Sequence, residues 1–390
     1  MDASVRAMVD AIHANPTQAV LYISGGASQA LGWLMSIPGA SNTVLEAVVP
    51  YSRMSMIQLL GKVPSQFASR QTAEDLALLA YNRALKLSQP GYPVLGVGFS
   101  GSLASTRPKL GDHRFHVSTR TSDKLWASTV TLSKGMRTRE GEDKVSSQFL
   151  LKWYAYYLTA VITEDAIAYA SKVPGTSISG LTDSEVPDES EMRFDEDQEL
   201  EQLINGQVCF KDMSKADRKI ILSGSFNPLH DGHLKLLEVS ASILGDGYPC
   251  FELSAVNADK PPLTTSQIRQ RVRQFEKVGR TVVISNQPYF YKKAELFPGS
   301  AFVIGADTAA RLINPIYYGN DHRRMLEILS GCKSSGCVFL VAGRNVDGDF
   351  KVVDDFDIPG ELSDMFVPIP PEKFRMDISS TEIRRSQGIL

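Results

Sequence analysis

The chain has 390 residues, which is long enough for two domains with separate hydrophobic cores. Its 43% hydrophobic and 22% charged residues are typical of a folded globular protein, and a formal net charge of −3 argues against general nucleic-acid binding. No apolar run approaches the roughly 20 residues that cross a bilayer, the four cysteines lack zinc-type spacing, and no secretory signal is visible. We therefore expect a cytoplasmic protein that binds neither membranes nor nucleic acids.

Strand-like and helix-like runs alternate over residues 1–180, which predicts a first domain with an α/β layer structure. The predicted strands cover residues 18–23, 43–49, 93–97, 113–118 and 126–132. The predicted helices begin near residue 28 and cover residues 54–60, 73–87 and 142–170.

Acidic residues dominate the segment 181–200, where few apolar residues occur. Such a segment buries too little surface to offset the entropy lost on ordering, so we predict a flexible acidic linker. A solvated spacer is favoured over a docking segment for a basic partner. A helix that begins near Asp195 is expected to belong already to the second domain, residues 201–390.

The second domain repeats the alternation of strands and helices. Its predicted strands cover residues 219–223, 251–255, 281–284, 301–304, 338–341 and 366–369. This order predicts a doubly wound, Rossmann-like parallel sheet, with a ligand crevice beyond the carboxyl ends of the strands.

The most informative motif follows the strand at 219–223. Gly224, Ser225 and Phe226 lead through Asn-Pro to His230 and His233, where a helical pattern begins. A helix start presents free N–H groups and a positive dipole end, which suits a phosphate group. Histidines at positions i and i+3 can reach the same ligand. Taken alone, the pair is equally compatible with an ordinary helix start.

Two further motifs occur downstream in the same domain. Residues 378–384 read Ile-Ser-Ser-Thr-Glu-Ile-Arg, in which Ser379 or Ser380 can cap a short helix whose amides and Arg384 face an anion. The strand at 301–304 runs into Gly305-Ala306-Asp307. The joint occurrence of three motifs within one domain favours nucleotide binding over three unrelated structural features.

These motifs resemble those of the nucleotidyltransferase superfamily, which carries G-x-F-x-P-x-H-x-G-H. The motif at 378–384 resembles the I-S-S-T-x-I-R motif of nicotinamide mononucleotide adenylyltransferases. The resemblance implies transfer of AMP from ATP, with Mg²⁺, onto the phosphate of nicotinamide or nicotinate mononucleotide, with release of pyrophosphate. It implies that the catalytic residues are His230, His233 and Arg384, which would stabilise the phosphates.

The same resemblance implies contacts for the nucleotide and the acceptor. The residues implied to bind the nucleotide are Gly224, Ser225, Phe226, Gly305, Asp307, Ser379, Ser380 and Thr381. Asp307 would contact a ribose hydroxyl, and Lys260 would approach the substrate phosphate. Arg344 belongs to a segment similar to the one that lines the adenine pocket, and Arg269 is a further candidate for the phosphate.

Two other interpretations stay open. The domain could transfer a nucleotide to a different phosphorylated acceptor, although the motifs disfavour cytidylyl transfer. It could also be a regulatory protein that binds a nucleotide without turnover. Loss of turnover on changing His233 would separate the enzyme from the sensor.

Residues 96–101 of the first domain match the G-x-G-x-x-G dinucleotide fingerprint. The context does not fit, because residues 102–108 do not form a convincing helix and no acidic residue ends a strand about 20 residues further on. We therefore reject a NAD site there.

The first domain resembles the CinA C-terminal family, which includes nicotinamide mononucleotide deamidases. The resemblance rests on Ser24-Gly25-Gly26, on the segments 37–41, 48–52 and 59–61, and on the 96–101 loop. The glutamate and serine of the family's E-S-C-T-G-G run are absent, and Met56 replaces an expected lysine. We therefore predict a retained fold that has lost deamidase activity and serves as a dimerisation or ligand-sensing module.

Overall fold

A computed structural model describes the chain over residues 1–89, 91–107, 109–160, 180–212, 218–257, 261–346, 349–376 and 380–388. The chain divides into two compact units, Met1–Glu199 and Leu200–Leu390. Each unit is built on its own sheet with helices against it, which confirms the predicted α/β class.

The sheet of the first unit has six strands in the order β2-β1-β3-β4-β5-β6. These strands are β1 Gln18–Ser24, β2 Val44–Val48, β3 Val94–Ser102, β4 His113–Arg120, β5 Lys124–Leu132 and β6 Asp188–Arg193. The strands β2, β1 and β3 run parallel, whereas β3 to β6 pair as antiparallel neighbours.

Helices cover both faces of this sheet. They are α1 Ala3–His13, α2 Ser28–Ser36, α3 Ala40–Thr43, α4 Arg53–Leu60, α5 Arg70–Leu87 and α6 Arg139–Ala160. Successive side chains of a strand point to opposite faces, and β1 shows this directly. Leu21 and Ile23 pack into the core cluster that contains α1, α2 and α6, whereas Val20 and Tyr22 pack against α4 and α5.

The glycines of the rejected fingerprint have a packing role in β3. A Cβ atom on Gly96 would lie 2.1 Å from the Ala77 carbonyl oxygen, and one on Gly98 would lie 2.1 Å from the Ala73 carbonyl oxygen. Both of these carbonyls belong to α5. The glycines therefore let the backbone of α5 approach the backbone of the strand.

Replacing Gly98 with alanine is expected to destabilise the first unit by about 3 kcal/mol or more, because backbone atoms cannot move aside for the new methyl group. Urea unfolding followed by tryptophan fluorescence measures this, since Trp33, Trp126 and Trp153 all lie in the first unit. Gly111→Ala is the control, because its Cβ would meet nothing within 4 Å. Equal stabilities of the two variants would contradict the packing argument.

The acidic segment differs from the flexible linker that we predicted over residues 181–200. Within it, β6 pairs with β5 as an edge strand, although every residue of β6 is exposed. The Arg120 guanidinium lies 4.2 Å from the centre of the Phe194 ring, which anchors the end of this strand. Ladder hydrogen bonds use only the backbone, so an edge strand tolerates acidic side chains that face water.

The sheet of the second unit has seven strands in the order β15-β12-β11-β8-β9-β10-β7. Its strands are β7 Phe210–Lys211, β8 Lys219–Gly224, β9 Tyr248–Ser254, β10 Val282–Ser285, β11 Ala301–Gly305, β12 Val338–Ala342 and β15 Phe366–Ile369. A separate hairpin joins β13 Arg344–Val346 to β14 Asp349–Lys351. Every pair in the main sheet is parallel except β10 with β7.

The helices of the second unit connect these strands. They are α7 Glu196–Ile204, α8 Asp231–Leu244, α9 Thr265–Lys277, α10 Phe290–Leu296, α11 Ala306–Leu312, α12 His322–Ser334 and α13 Ser380–Ser386. Short 3₁₀ segments cover Pro315–Tyr318, Val353–Asp355 and Gly360–Met365. Helix α7 begins in the first unit, but its Leu200 and Leu203 pack in the core of the second, as predicted for the helix near Asp195.

An ion pair lies inside the second unit between β9 and α10. The Lys293 ammonium is 2.7 Å from the Glu252 carboxylate, and the two side chains are 3% and 0% exposed. Lys293 also donates to the Ser254 hydroxyl, and Ser285 donates to the carboxylate of Glu252 at 2.6 Å. This network ties the carboxyl ends of β9 and β10 to α10.

Most predicted elements are present with ends shifted by a few residues. Helix α6 covers the first part of the helix predicted over 142–170, and residues 161–179 lie outside the described ranges. The four cysteines are buried, and none of them forms a disulfide. Within the described ranges, no helix combines the length and the apolarity that crossing a membrane requires.

Candidate active site

The three motifs of the second unit surround the point where its sheet changes winding direction. From the central strand β8 the chain moves through β9 and β10 on one side, and then crosses to β11, β12 and β15 on the other. Strands β8 and β11 are parallel neighbours that end at Gly224 and Gly305. Loops that leave such neighbours open a crevice at the carboxyl edge of the sheet, where nucleotides bind in doubly wound folds.

The loop after β8 is anchored by the ring of Phe226. This residue has a left-handed backbone with φ of +43°, and its side chain is 2% exposed. The ring packs edge to face against Phe251, Phe275 and His233, with centroid distances between 5.0 and 5.4 Å. A Cβ on Gly224 would lie 3.0 Å from this ring, so a side chain at that position would press against the ring.

His230 and His233 meet at the start of α8. Their rings stack with centroids 3.7 Å apart, and the His230 backbone N–H donates to Nδ1 of His233 at 3.3 Å. Because Nδ1 of His233 accepts this bond, its Nε2 carries the proton of the neutral ring and can donate to a ligand. Nδ1 of His230 is buried and has no hydrogen-bond partner within the described residues.

Both imidazoles are held in the neutral form. Burial, then the neighbouring His230 and Arg344, lower the pKa of His233 to about 3. Burial and Arg344 lower the pKa of His230. The two rings are therefore neutral hydrogen-bonding groups near pH 7, while the positive charge beside them comes from Arg344.

The Gly-x-Asp motif joins the same group of residues through Arg344. A Cβ on Gly305 would lie 2.6 Å from Oδ1 of Asp307, so the carboxylate lies close over this glycine. Oδ1 of Asp307 is 3.8 Å from Nε of Arg344, and Oδ2 is 3.0 Å from Nη2 of Arg311. The carboxylate that we expected to contact a ribose thus lies within ion-pair distance of the arginine beside the histidines.

The C-terminal motif reaches the same loop from α13. The Ser380 hydroxyl donates to the Pro228 carbonyl at 2.9 Å, and Arg384 donates to the Asn227 carbonyl. Nη2 of Arg384 also donates to the hydroxyl of Thr381 at 3.2 Å. Segments more than 150 residues apart in the sequence therefore form one surface.

Two predicted site residues cannot be placed. Ser379 and Lys260 lie outside the described ranges, so their positions relative to the histidines stay predictions. The roles of the residues that are placed also stay predictions.

Sequence reasoning missed two residues on α9 that contact the loop. Nη1 of Arg271 donates to the Ser225 carbonyl at 2.9 Å. Nε2 of Gln274 donates to the Phe226 carbonyl at 3.1 Å, while its Oε1 accepts from the Leu229 N–H at 2.8 Å. One signal was available for Arg271, since it lies on the buried stripe of α9 between Ile268 and Phe275.

The motif residues that the structure describes, from Gly224 to Arg384, all lie in one segment that matches a family model. Residues 221–386 match the model of the cytidylyltransferase-like family. The segment is therefore similar to cytidylyltransferase-like domains over these residues. The match supports nucleotidyl transfer as the general chemistry of the domain and does not distinguish between nucleotides or acceptors. No curated protein matches the chain significantly.

Solved structures similar to this chain carry the CinA or competence-damage name. Competence/damage-inducible CihA from Agrobacterium tumefaciens is 17% identical, with 42% of this chain and 96% of that chain covered and a TM-score of 0.30. A competence or damage-inducible protein from Enterobacter asburiae is 12% identical, with coverages of 40% and 99% and a TM-score of 0.34. A CinA superfamily protein from Klebsiella pneumoniae is 11% identical, with coverages of 40% and 96% and a TM-score of 0.34.

Proposed function

We propose that the cytidylyltransferase-like domain transfers AMP from ATP onto the phosphate of nicotinamide mononucleotide or its acid form. The observation that carries the proposal is the convergence of the His230–His233 pair and the Ser380–Arg384 helix on one loop. The choice of AMP and of this acceptor rests on the resemblance of the 378–384 motif to nicotinamide mononucleotide adenylyltransferases.

In this reaction an oxygen of the acceptor phosphate attacks the α-phosphorus of ATP. A new P–O bond forms, the bond from the α-phosphorus to the bridging oxygen breaks, and the electron pair leaves with pyrophosphate. The protein has to align the two phosphates and stabilise negative charge, and no side-chain nucleophile is needed.

The side chains around the loop suit this task. Nε2 of His233 would donate to a phosphate oxygen on which charge develops, and His230 would do so from the adjacent ring. Arg384 and Thr381 would bind the phosphates that leave, at the end of α13 nearest the loop. Arg344 would add positive charge, since it already lowers the pKa of both histidines.

Mg²⁺ would enter with ATP and neutralise charge on the phosphate oxygens. Within the described ranges, no group of three or more His, Cys, Asp or Glu side chains is arranged as a metal site. The resemblance implies that this ion is coordinated mainly by phosphate oxygens, with few direct protein ligands.

The first unit is proposed to keep a CinA-like fold without deamidase activity. The Ser24 hydroxyl donates to the Pro50 carbonyl at 3.1 Å, and Tyr51 is 73% exposed. Met56, which replaces the expected lysine, is buried in an apolar cluster with Val20 and Leu76. We propose dimerisation or ligand sensing as the role of this unit.

Pyrophosphate release by the full-length protein tests the proposal. The protein is supplied with Mg²⁺-ATP and either nicotinamide mononucleotide, its acid form or no acceptor, and Mg²⁺-CTP replaces ATP in parallel reactions. We expect release that depends on ATP and on one of the two mononucleotides, without ammonia release. ATP binding without release for either acceptor would contradict transfer and favour a nucleotide sensor.

A further inference from the structure

In the loop that precedes the histidines, each backbone carbonyl from Ser225 to Pro228 accepts a hydrogen bond from a side chain. Arg384 and Ser380 of α13 bind the last two of these carbonyls. Arg271 and Gln274 of α9 bind the first two. No motif assigns a role to the two α9 residues, which lie more than 40 residues from the loop in sequence.

The two α9 contacts determine where two backbone N–H groups point. The Ser225–Phe226 and Phe226–Asn227 peptides are trans, so each N–H points opposite to the carbonyl of the same peptide. Because Arg271 draws the Ser225 carbonyl toward α9, the Phe226 N–H points away from α9. Gln274 likewise holds the Phe226 carbonyl toward α9, so the Asn227 N–H also points away from α9.

Neither the Phe226 nor the Asn227 amide donates to an acceptor in the part of the chain that the structure describes, so no described residue competes with a ligand for these two N–H groups. The left-handed backbone at Phe226, with φ of +43°, is the conformation that lets successive N–H groups converge on an anion.

We propose that Arg271 and Gln274 are positioning residues that orient the Phe226 and Asn227 amides toward a phosphate group of the bound nucleotide. This inference rests on the proposed function and assigns to α9 a role in phosphate binding without direct contact. The two residues act through the peptide groups that they hold.

Gln274 is suited to this role because its side-chain amide carries a donor and an acceptor. Nε2 holds the Phe226 carbonyl and Oε1 holds the Leu229 N–H, so one side chain bridges both ends of the turn. A glutamate would keep an acceptor for Leu229 but would place a carboxylate oxygen against the Phe226 carbonyl. The repulsion would turn that peptide and direct a carbonyl oxygen toward the phosphate.

Arg271 is held firmly enough to fix a peptide. Its side chain is buried, at 8% exposure, and its guanidinium donates to the Ser225 carbonyl at 2.9 Å. Replacement by methionine would keep the apolar stem in place and remove the donor.

The test compares the binding of ATP and of adenosine by the full-length protein, using calorimetry for ATP and ligand-observed NMR for adenosine. The variants are Gln274→Glu and Arg271→Met. Their matched controls are Gln270→Glu and Arg273→Met, which make the same chemical changes at exposed positions of α9. Adenosine lacks phosphate groups, so its affinity reports the rest of the pocket.

We expect Gln274→Glu and Arg271→Met to weaken ATP binding by about 10- to 100-fold, since each removes the orientation of a hydrogen bond to a charged group. Adenosine binding and the ATP affinity of both controls should change less than about twofold. Equal weakening of ATP and adenosine would overturn the proposal, because it would indicate general damage to the pocket. ATP affinity near wild type in both variants would also overturn it and would leave the proposed function intact. Failure of the unaltered protein to bind ATP would instead overturn the proposed function, and the positioning role with it.

Discussion

Replacing His233 with alanine is expected to lower the rate of nucleotide transfer by about 10²- to 10³-fold, the usual cost of one donor that stabilises transition-state charge. Nδ1 of His233 accepts from the His230 backbone, so Nε2–H is the ring donor that remains for a ligand. Alanine removes this donor and the ring that stacks on His230. Steady-state pyrophosphate release measures the change, which should fall mainly on kcat.

His322→Ala is the matched control for this variant. His322 begins α12 in the same unit and is exposed, so its removal should change kcat less than about twofold. A His233→Ala protein that turns over at the rate of this control would exclude the proposed role. Circular dichroism of both variants should match the unaltered protein, since the anchoring ring of Phe226 stays in place.

The pH dependence of the unaltered protein follows from the same site. The pKa of His233 is lowered to about 3, so the neutral ring predominates at every pH above about 5. Protonation of His233 in the ligand-free protein therefore does not change kcat/KM between pH 6 and 8, which initial rates at low substrate concentration measure. If catalysis instead required an imidazolium with an ordinary pKa, the rate would rise as the pH fell through 6.5.

Replacing Lys293 with methionine is expected to lower the free energy of unfolding of the second unit by about 3–5 kcal/mol. In the unaltered protein the Lys293 ammonium lies 2.7 Å from the fully buried carboxylate of Glu252. The substitution removes this cation and leaves the carboxylate unpaired. The hydroxyl of Ser285 still donates to that carboxylate but cannot compensate for its charge. Hydrogen exchange of the β9 and β11 amides measures the change.

Two further variants separate the buried charge from the loss of a long side chain. Lys292→Met removes an exposed ion pair with Glu295 on the same helix, and we expect a loss below about 0.5 kcal/mol. Adding Glu252→Gln to Lys293→Met removes the unpaired charge, so the double variant should regain part of the lost stability. Similar losses for Lys293→Met and Lys292→Met would show that the buried pair is not the cause.

Local patterns in the sequence predicted the main sheet and the positions of its motifs. The strands that end at Gly224 and Gly305 are apolar runs followed by turn residues, which made both strands predictable. Their pairing as parallel neighbours is seen only in the structure. The histidine pair could be recognised in the sequence because both residues lie within one helical turn. These features depend on spacing over a few residues, which a single sequence contains.

Local patterns in the sequence could not predict contacts between segments that are distant along the chain. The pairing of Arg271 with Ser225 depends on how α9 crosses the sheet, which spacing does not specify. The same holds for the approach of Arg344 to Asp307. Strand β6 was missed for a different reason. Its exposed acidic side chains have the composition of a disordered segment, whereas its backbone pairs with β5 in the sheet.

Helix α13 makes the geometry of the candidate site depend on a very small structural unit. It has seven residues, none of them buried, and a helix of this length is not stable alone in water. Its hydrogen bonds to the carbonyls of Asn227 and Pro228 therefore support the helix as much as they support the loop. Fraying of these few turns would separate the arginine and hydroxyl groups from the histidines while the seven-stranded sheet stayed folded. If α13 binds phosphate as proposed, local opening of this helix would remove that binding without unfolding of the domain.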